Sequence, residues 1–169
     1  MDHEDLSLKK LCAADLAAFR DGVADRDLKR MYGLGPDMDD EAVAAVFGRF
    51  CRLERSYSIR DKKDRMIGFV LDVAPELPEP ILSSLRGHGR TLAFAVFPAY
   101  QRRGCMEKTL RMYTERLFTE LGADYVHCGC FDFNAASRNL LNKVGFAPLG
   151  ERPVKNACIV DMILRKPDA

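Results

Sequence analysis

A mixed α/β domain built around one central sheet is the fold class this sequence predicts, and three observations carry that expectation. Apolar patterning runs along the chain as strand, helix, helix, three strands, helix, strand, helix and two strands. One short, nearly continuous apolar run, Thr91–Phe97, has the pattern of a strand buried on both faces. A chain of 169 residues, 47% hydrophobic and 30% charged, has the size and composition of one globular domain, residues 1–169. Such a chain builds its core without disulfide or metal staples.

Taken in order, Leu6–Leu8 is a short first strand, and Leu16, Phe19 and Val23 recur at helical spacing after Ala14-Asp15. Gly33-Leu34-Gly35-Pro36 then interrupts the chain. Asp39 or Asp40 caps a second helix, whose Val43, Val46, Phe47, Phe50 and Leu53 form an apolar face. Ser56–Ile59 and Met66–Val73 are strands joined by the polar turn Arg60–Arg65. Ala74–Arg90 carries Pro75, Pro78, Pro80, Gly87 and Gly89 and reads as a loop with a helical turn at Ile81–Leu85. A loop that long is either a substrate lid or a surface insertion. Pro98 ends the Thr91–Phe97 strand, and Gly104 precedes a long amphipathic helix with Met106, Leu110, Tyr113, Leu117 and Leu121 on one face and Gly122 at its stop. Tyr125–Phe131 is the next strand, and Asn134–Ser137 opens a helix running through Val144 to Gly145. Phe146–Leu149 and Cys158–Leu164 form a final antiparallel pair.

Composition excludes several function classes. A net charge of +1 gives no global reason for a nucleic-acid or membrane partner. No apolar stretch approaches the roughly 18 residues of a membrane span. Met1–Asp5 is acidic, unlike a secretory or mitochondrial leader, so the expected location is cytoplasmic. The six cysteines are scattered, and Cys128-Gly129-Cys130 matches neither a redox pair nor zinc-ligand spacing, so no metal is expected.

The segment from Val96 to Met106 carries the strongest chemical signal. A buried strand passes through a short turn into a helix, whose first N–H groups are unsatisfied and have the positive end of the helix dipole behind them. A pyrophosphate fits such a site. Gly104 lets the backbone approach the anion, and Arg102 and Arg103 add positive charge at the rim. A plain helix start with two solvated arginines is the other reading. Neither a nucleotide P-loop nor a dinucleotide glycine pattern is present, which argues against ATP and NAD.

At this point the residues resemble the GNAT superfamily of N-acetyltransferases. Its coenzyme A signature is V-x-x-x-x-[QR]-x-x-G-x-[GA], and Val96, Gln101 and Gly104 stand at the matching places. Met106 takes the last, small-residue position, a departure compatible with the branch that acetylates ribosomal-protein N-termini. Asn134 through Phe146 resembles the family's N-x-x-S-x-x-x-x-x-K-x-G-F helix, in order and at the separation the fold requires. The likeness is good over Thr91–Phe146, plausible over Ser56–Val73 and weak before that.

The resemblance implies a mostly antiparallel twisted sheet of about seven strands with flanking helices, acetyl-CoA as cofactor, and a homodimer joined through the C-terminal strands. It implies that the backbone of Phe94, Ala95 and Val96 pairs with the acetyl carbonyl and the pantetheine arm, for which a splay between the fourth and fifth strands makes room. Gln101, Arg102, Arg103, Gly104, Cys105, Met106 and Glu107 would surround the pyrophosphate, and Asn134 would touch the cofactor or the amine.

The acceptor that the resemblance implies is a primary amine, on a protein N-terminus or a small molecule. It must lose a proton to attack the thioester, the departing thiolate must gain one, and the Val96 N–H is placed to stabilise the oxyanion. Many relatives carry a tyrosine acid where Leu141 stands here, which leaves Ser137 as proton donor, with Tyr100 as a remote substitute; a helix-start hydroxyl is the plain alternative for Ser137. Thr91–Val96 contains no acid, so Asp132 is the first candidate for the base, followed by Glu54, His88 and His127. His127 faces away from Cys128 and Cys130 and reads first as a packed histidine. Asp37, Asp39, Asp40 and Glu41 either attract a cationic amine or sit at a helix start. A non-catalytic acyl-CoA-binding protein and an unrelated α/β protein remain as alternatives.

Overall fold

The computed structural model describes residues 6–32, 34–35 and 37–167. The acidic Met1–Asp5 segment, and Gly33 and Pro36 of the expected chain break, lie outside the described residues. Seven strands run β1 (Ser7–Lys10), β2 (Arg55–Arg60), β3 (Met66–Val73), β4 (Gly89–Val96), β5 (Tyr125–Phe131), β6 (Ala147–Val154) and β7 (Ala157–Arg165). Their order in the sheet is β1-β2-β3-β4-β5-β7-β6. The expected mixed α/β class with a mostly antiparallel sheet is what forms. β1–β2, β2–β3, β5–β7 and β6–β7 are antiparallel, and β4–β5 is parallel. The parallel register runs from Gly89↔Tyr125 to Thr91↔His127, the first three residues of each strand.

The chain divides into two compact units. The first comprises Met1–Asp72 with Phe94–Thr109, and the second Val73–Ala93 with Leu110–Ala169. In the first, helices α1 (Leu16–Gly22), α2 (Arg26–Met31) and α3 (Asp40–Arg52) accompany β1, β2 and β3. The single early helix expected from Leu16, Phe19 and Val23 is two, because the Asp25 carboxylate accepts the Leu28 N–H at 2.7 Å and starts α2 afresh. Asp39 is the cap of α3, accepting the Ala42 N–H at 2.8 Å. The core here is aromatic: Phe19 packs against Phe47, Phe50 and Phe69, and Tyr32 against Phe50 and Phe69. A buried ion pair joins Asp15 to Arg60.

The second unit contains α4 (Glu79–Leu82) and α6 (Ala135–Val144), while α5 (Cys105–Thr119) begins in the first unit and continues in the second. Leu110, Tyr113 and Leu117 of α5 are buried as its spacing predicts. Leu121 is not: the helix ends at Thr119, Gly122 takes φ 68°, and Leu121 is exposed. The 74–90 segment is shorter as a loop than its composition suggests. Gly89 begins β4, because the Tyr125 ring occupies the place where a Cβ at 89 would stand. Leu77 and Leu85, with Ile81 and Leu82, pack on Tyr125 and Ile163, which fixes the segment to the sheet. Gly145 closes α6 in a Schellman turn, its N–H bonding to Asn142 O and that of Phe146 to Leu141 O. That turn uses Phe146, so β6 starts at Ala147 and runs to Val154, longer than expected.

Candidate functional site

The turn between β4 and α5 is built from the strand outward. The Phe97 N–H bonds to Ile67 O at 2.9 Å, tying the end of β4 to β3. A Cβ on Gly68 would lie 2.3 Å from Ala95 O, so β3 and β4 approach as closely as they do only because residue 68 has no side chain. Pro98–Tyr100 makes one 3-10 turn, and the Gln101 side-chain amide reaches back to donate to Val96 O at 3.1 Å. The Gln101 side chain therefore acts as a staple across the turn.

Beyond it the backbone is unusual. Arg102 has φ 58° and Gly104 φ 75°, a left-handed pair flanking Arg103. Alternation of this kind turns successive N–H groups toward one point, which makes an anion-binding concavity. Gly104 contributes no side chain to cap α5, and the space where its Cβ would stand is open. A 15-residue helix starts just beyond this space, with the positive end of its dipole there. Arg102 and Arg103 are exposed. The Arg103 guanidinium lies 5.6 Å from the Tyr100 ring centroid and that of Arg65 5.8 Å from it, so two cations flank one aromatic ring beside the turn. Cys105 is half-buried, and Met106, the departure from the motif's small residue, is 7% exposed, its side chain turned into the interior. Phe94 is half-buried and Ala95 and Val96 are buried.

In the second unit the end of β5 leads into α6. Asn134 caps this helix, its Oδ1 accepting the Ser137 N–H at 3.0 Å. The Ser137 hydroxyl hydrogen-bonds the Cys130 thiol; burial pushes that thiol up, against the pull of Arg138 and Ser137. Ser137 is thus both a first-turn residue and a hydroxyl with a partner at the strand end. Asp132 is exposed, with Oδ1 accepting the Phe133 N–H at 3.0 Å.

Of the other candidates, Glu54 and His88 are exposed. Asp37 pairs with Arg26 at 2.8 Å and Asp39 is spent as a cap, which favours the helix-start reading of that acidic stretch. His127 is 3% exposed and packed as expected, but both its ring nitrogens have polar partners. Sequence reasoning missed those partners, Thr91 and Asp161, together with Arg152. The available signal was Asp161 itself, an acid inside the apolar run Cys158–Leu164, since a buried charge requires a partner.

Among the described residues, no group of three or more His, Cys, Asp or Glu is arranged to hold a metal ion, and the cysteines are free. No described helix is long and apolar enough to cross a membrane.

A family profile described as an acetyltransferase (GNAT) domain matches residues 5–147. A search of curated proteins returned no match. Among solved structures, an acetyltransferase (GNAT family) from Bacillus anthracis superposes with a TM-score of 0.79 at 14% identity, covering 98% of this chain and 97% of that one. The spermidine N-acetyltransferase of Vibrio cholerae, in complex with CoA and spermine, gives 0.73 at 15% identity, covering 95% of each chain. The aminoglycoside acetyltransferase AAC(6')-Ib in complex with coenzyme A gives 0.75 at 16% identity, covering 96% of this chain and 95% of that one. At such identities these likenesses speak for the fold.

Proposed function

The chain belongs to the GNAT acetyltransferases, and on that premise we propose that it moves an acetyl group from acetyl-CoA to a primary amine, with residues 1–169 working as one catalytic domain. The observation that carries this reading is the left-handed backbone at Arg102 and Gly104 just ahead of α5, with open space where a Gly104 Cβ would stand. Bound there, acetyl-CoA supplies an activated acyl group on a thiol leaving group.

The residues divide the work. Arg102, Arg103, Gly104, Cys105, Met106 and Glu107 form the pyrophosphate turn, through backbone N–H groups and the two guanidinium groups. Gln101 holds the shape of that turn. The backbone of Phe94, Ala95 and Val96 aligns the acyl and pantetheine parts, with the Val96 N–H stabilising charge that develops on the carbonyl oxygen. Asn134 orients cofactor or amine. Ser137 gives the departing thiolate its proton, and Asp132 is the base that the sequence nominates, a role taken up again below. The relatives named for spermidine and aminoglycosides favour a small polyamine-like acceptor. A protein N-terminus is the second acceptor class, favoured by Met106 in the motif.

Calorimetric titration of acetyl-CoA into the wild type and into Gly104→Asp tests the reading. Binding by the wild type, and loss of at least tenfold in affinity when a carboxylate enters the turn, is the expected result. CoA release is then followed with spermidine, an aminoglycoside and short peptides with free N-termini. A folded wild type that does not bind acetyl-CoA overturns the proposal, and binding without turnover on that panel leaves a binding protein.

A further inference from the structure

The second unit contains a buried polar chain that the proposed mechanism does not use. Thr91 Oγ1 lies 3.0 Å from His127 Nδ1, and His127 Nε2 lies 2.9 Å from Asp161 Oδ1. The other oxygen of Asp161 accepts from Arg152 Nε at 2.7 Å. The four residues come from four strands, β4, β5, β7 and β6, and share one face of the sheet. Asp161 is fully buried and His127 nearly so, whereas Thr91 at one end and Arg152 at the other are half-buried. Space for the chain comes from Gly129: a Cβ there would lie 3.3 Å from Asp161 Oδ1 and 3.8 Å from an Arg152 nitrogen.

The tautomer follows from the partners. An ionised carboxylate only accepts, so a neutral His127 imidazole carries its proton on Nε2 and offers the Nδ1 lone pair to the Thr91 hydroxyl, which then donates. The chain therefore has a direction, from a half-buried hydroxyl through an imidazole to a carboxylate fixed by a guanidinium. Burial alone would push the Asp161 carboxyl up, but hydrogen bonds from His127 and Arg152 outweigh it and hold the group ionised.

We propose that Thr91, His127 and Asp161 form a proton relay that receives the proton of the acceptor amine at the Thr91 hydroxyl. An N–H bond of the ammonium breaks and, through water, a proton reaches Thr91 Oγ1 as its own hydroxyl proton passes to His127 Nδ1. The imidazolium so formed is stabilised by Asp161, and no atom is oxidised or reduced. After product leaves, the proton returns along the same path to solvent, the one proton the overall transfer releases. Thr91 is the contact group, and His127, Asp161 and Arg152 act through it. The inference rests on the acetyltransferase reading, and it replaces Asp132 as the base.

Thr91→Val removes the hydroxyl and keeps the shape, Thr91→Ser keeps the hydroxyl, and Asp132→Asn tests the competing base. With acetyl-CoA and the amine panel above, Thr91→Val is expected to lower kcat about a hundredfold with acetyl-CoA affinity unchanged. The deficit shrinks as pH is raised and the amine deprotonates in solution. Thr91→Ser stays within about threefold of wild type, whereas an Asp132→Asn deficit that matches or exceeds that of Thr91→Val returns the base to Asp132 and overturns the relay. A melting temperature for each variant separates loss of fold from loss of chemistry. An active wild type with a Thr91→Val variant of equal kcat overturns the relay and leaves the acetyltransferase reading standing. A deficit of the same size at every pH also overturns it, because a merely structural role has no reason to be rescued by alkali. A wild type that binds acetyl-CoA and acetylates nothing on the panel overturns both.

Discussion

At the scale of single residues, the Gln101 amide shapes the proposed cofactor turn from within. Its hydrogen bond to Val96 O closes the turn ahead of α5, so the N–H groups that follow are aimed before any anion arrives. A neutral hydrogen bond of this kind contributes about 1 kcal/mol. Gln101→Ala is therefore expected to weaken acetyl-CoA binding about fivefold to tenfold by calorimetry, at little cost in melting temperature because the residue is exposed. Gln101→Glu cannot donate and should resemble the alanine variant. Wild-type affinity in both variants would show that the turn holds its shape without the staple. The same economy appears at Asn134, whose oxygen is committed to the Ser137 N–H; its amide nitrogen is the part left for any contact with cofactor or amine.

At the scale of elements, the site depends on how closely two strands run. Residue 68 has no room for a methyl group: its Cβ would press on Ala95 O, a backbone atom that cannot rotate away. Gly68→Ala is expected to push β3 from β4 at the residues that precede the phosphate turn. A loss of about 1–3 kcal/mol in urea unfolding, the usual cost of overpacking, should come with weaker acetyl-CoA binding. Unchanged stability would mean that the strand gap is wider than described. Here the sequence was only partly legible. β3 and β5 were readable to the residue, because β-branched and aromatic residues fill both and polar or glycine-containing turns bound them. Gly89 was not, because a glycine admitted by the Tyr125 ring looks the same on paper as a glycine in a loop. The α1–α2 break was hidden for a related reason: Asp25 reads as an ordinary surface acid until its carboxylate is seen on the Leu28 N–H.

At the scale of the whole molecule, acid stability should record the Asp161 network. The Asp161 carboxyl is held low in the folded protein, so its contribution is present above the ordinary carboxylate value of about 3.9 and is lost as pH falls through the lowered one. Asp161→Asn should be less stable than wild type at neutral pH, and the gap should narrow in acid, measured by urea unfolding across that range. A gap constant with pH would assign the loss to packing. The family was legible because Val96, Gln101, Gly104 and the Asn134–Phe146 helix lie in two short stretches. The polar chain through Thr91, His127, Asp161 and Arg152 was not, since its members meet only when four strands are laid side by side. The same sheet order leaves β6 at an edge, and β6 contains Pro148 and Pro153 and an irregular step between 148 and 150. Proline has no N–H to offer a neighbouring strand, and a break in register bends the row of acceptors away from a straight template. The β6 edge is therefore a poor template for a second chain, whether as an orderly partner or as the first layer of an aggregate. Any extension of the sheet by another copy falls more readily to its opposite edge, β1.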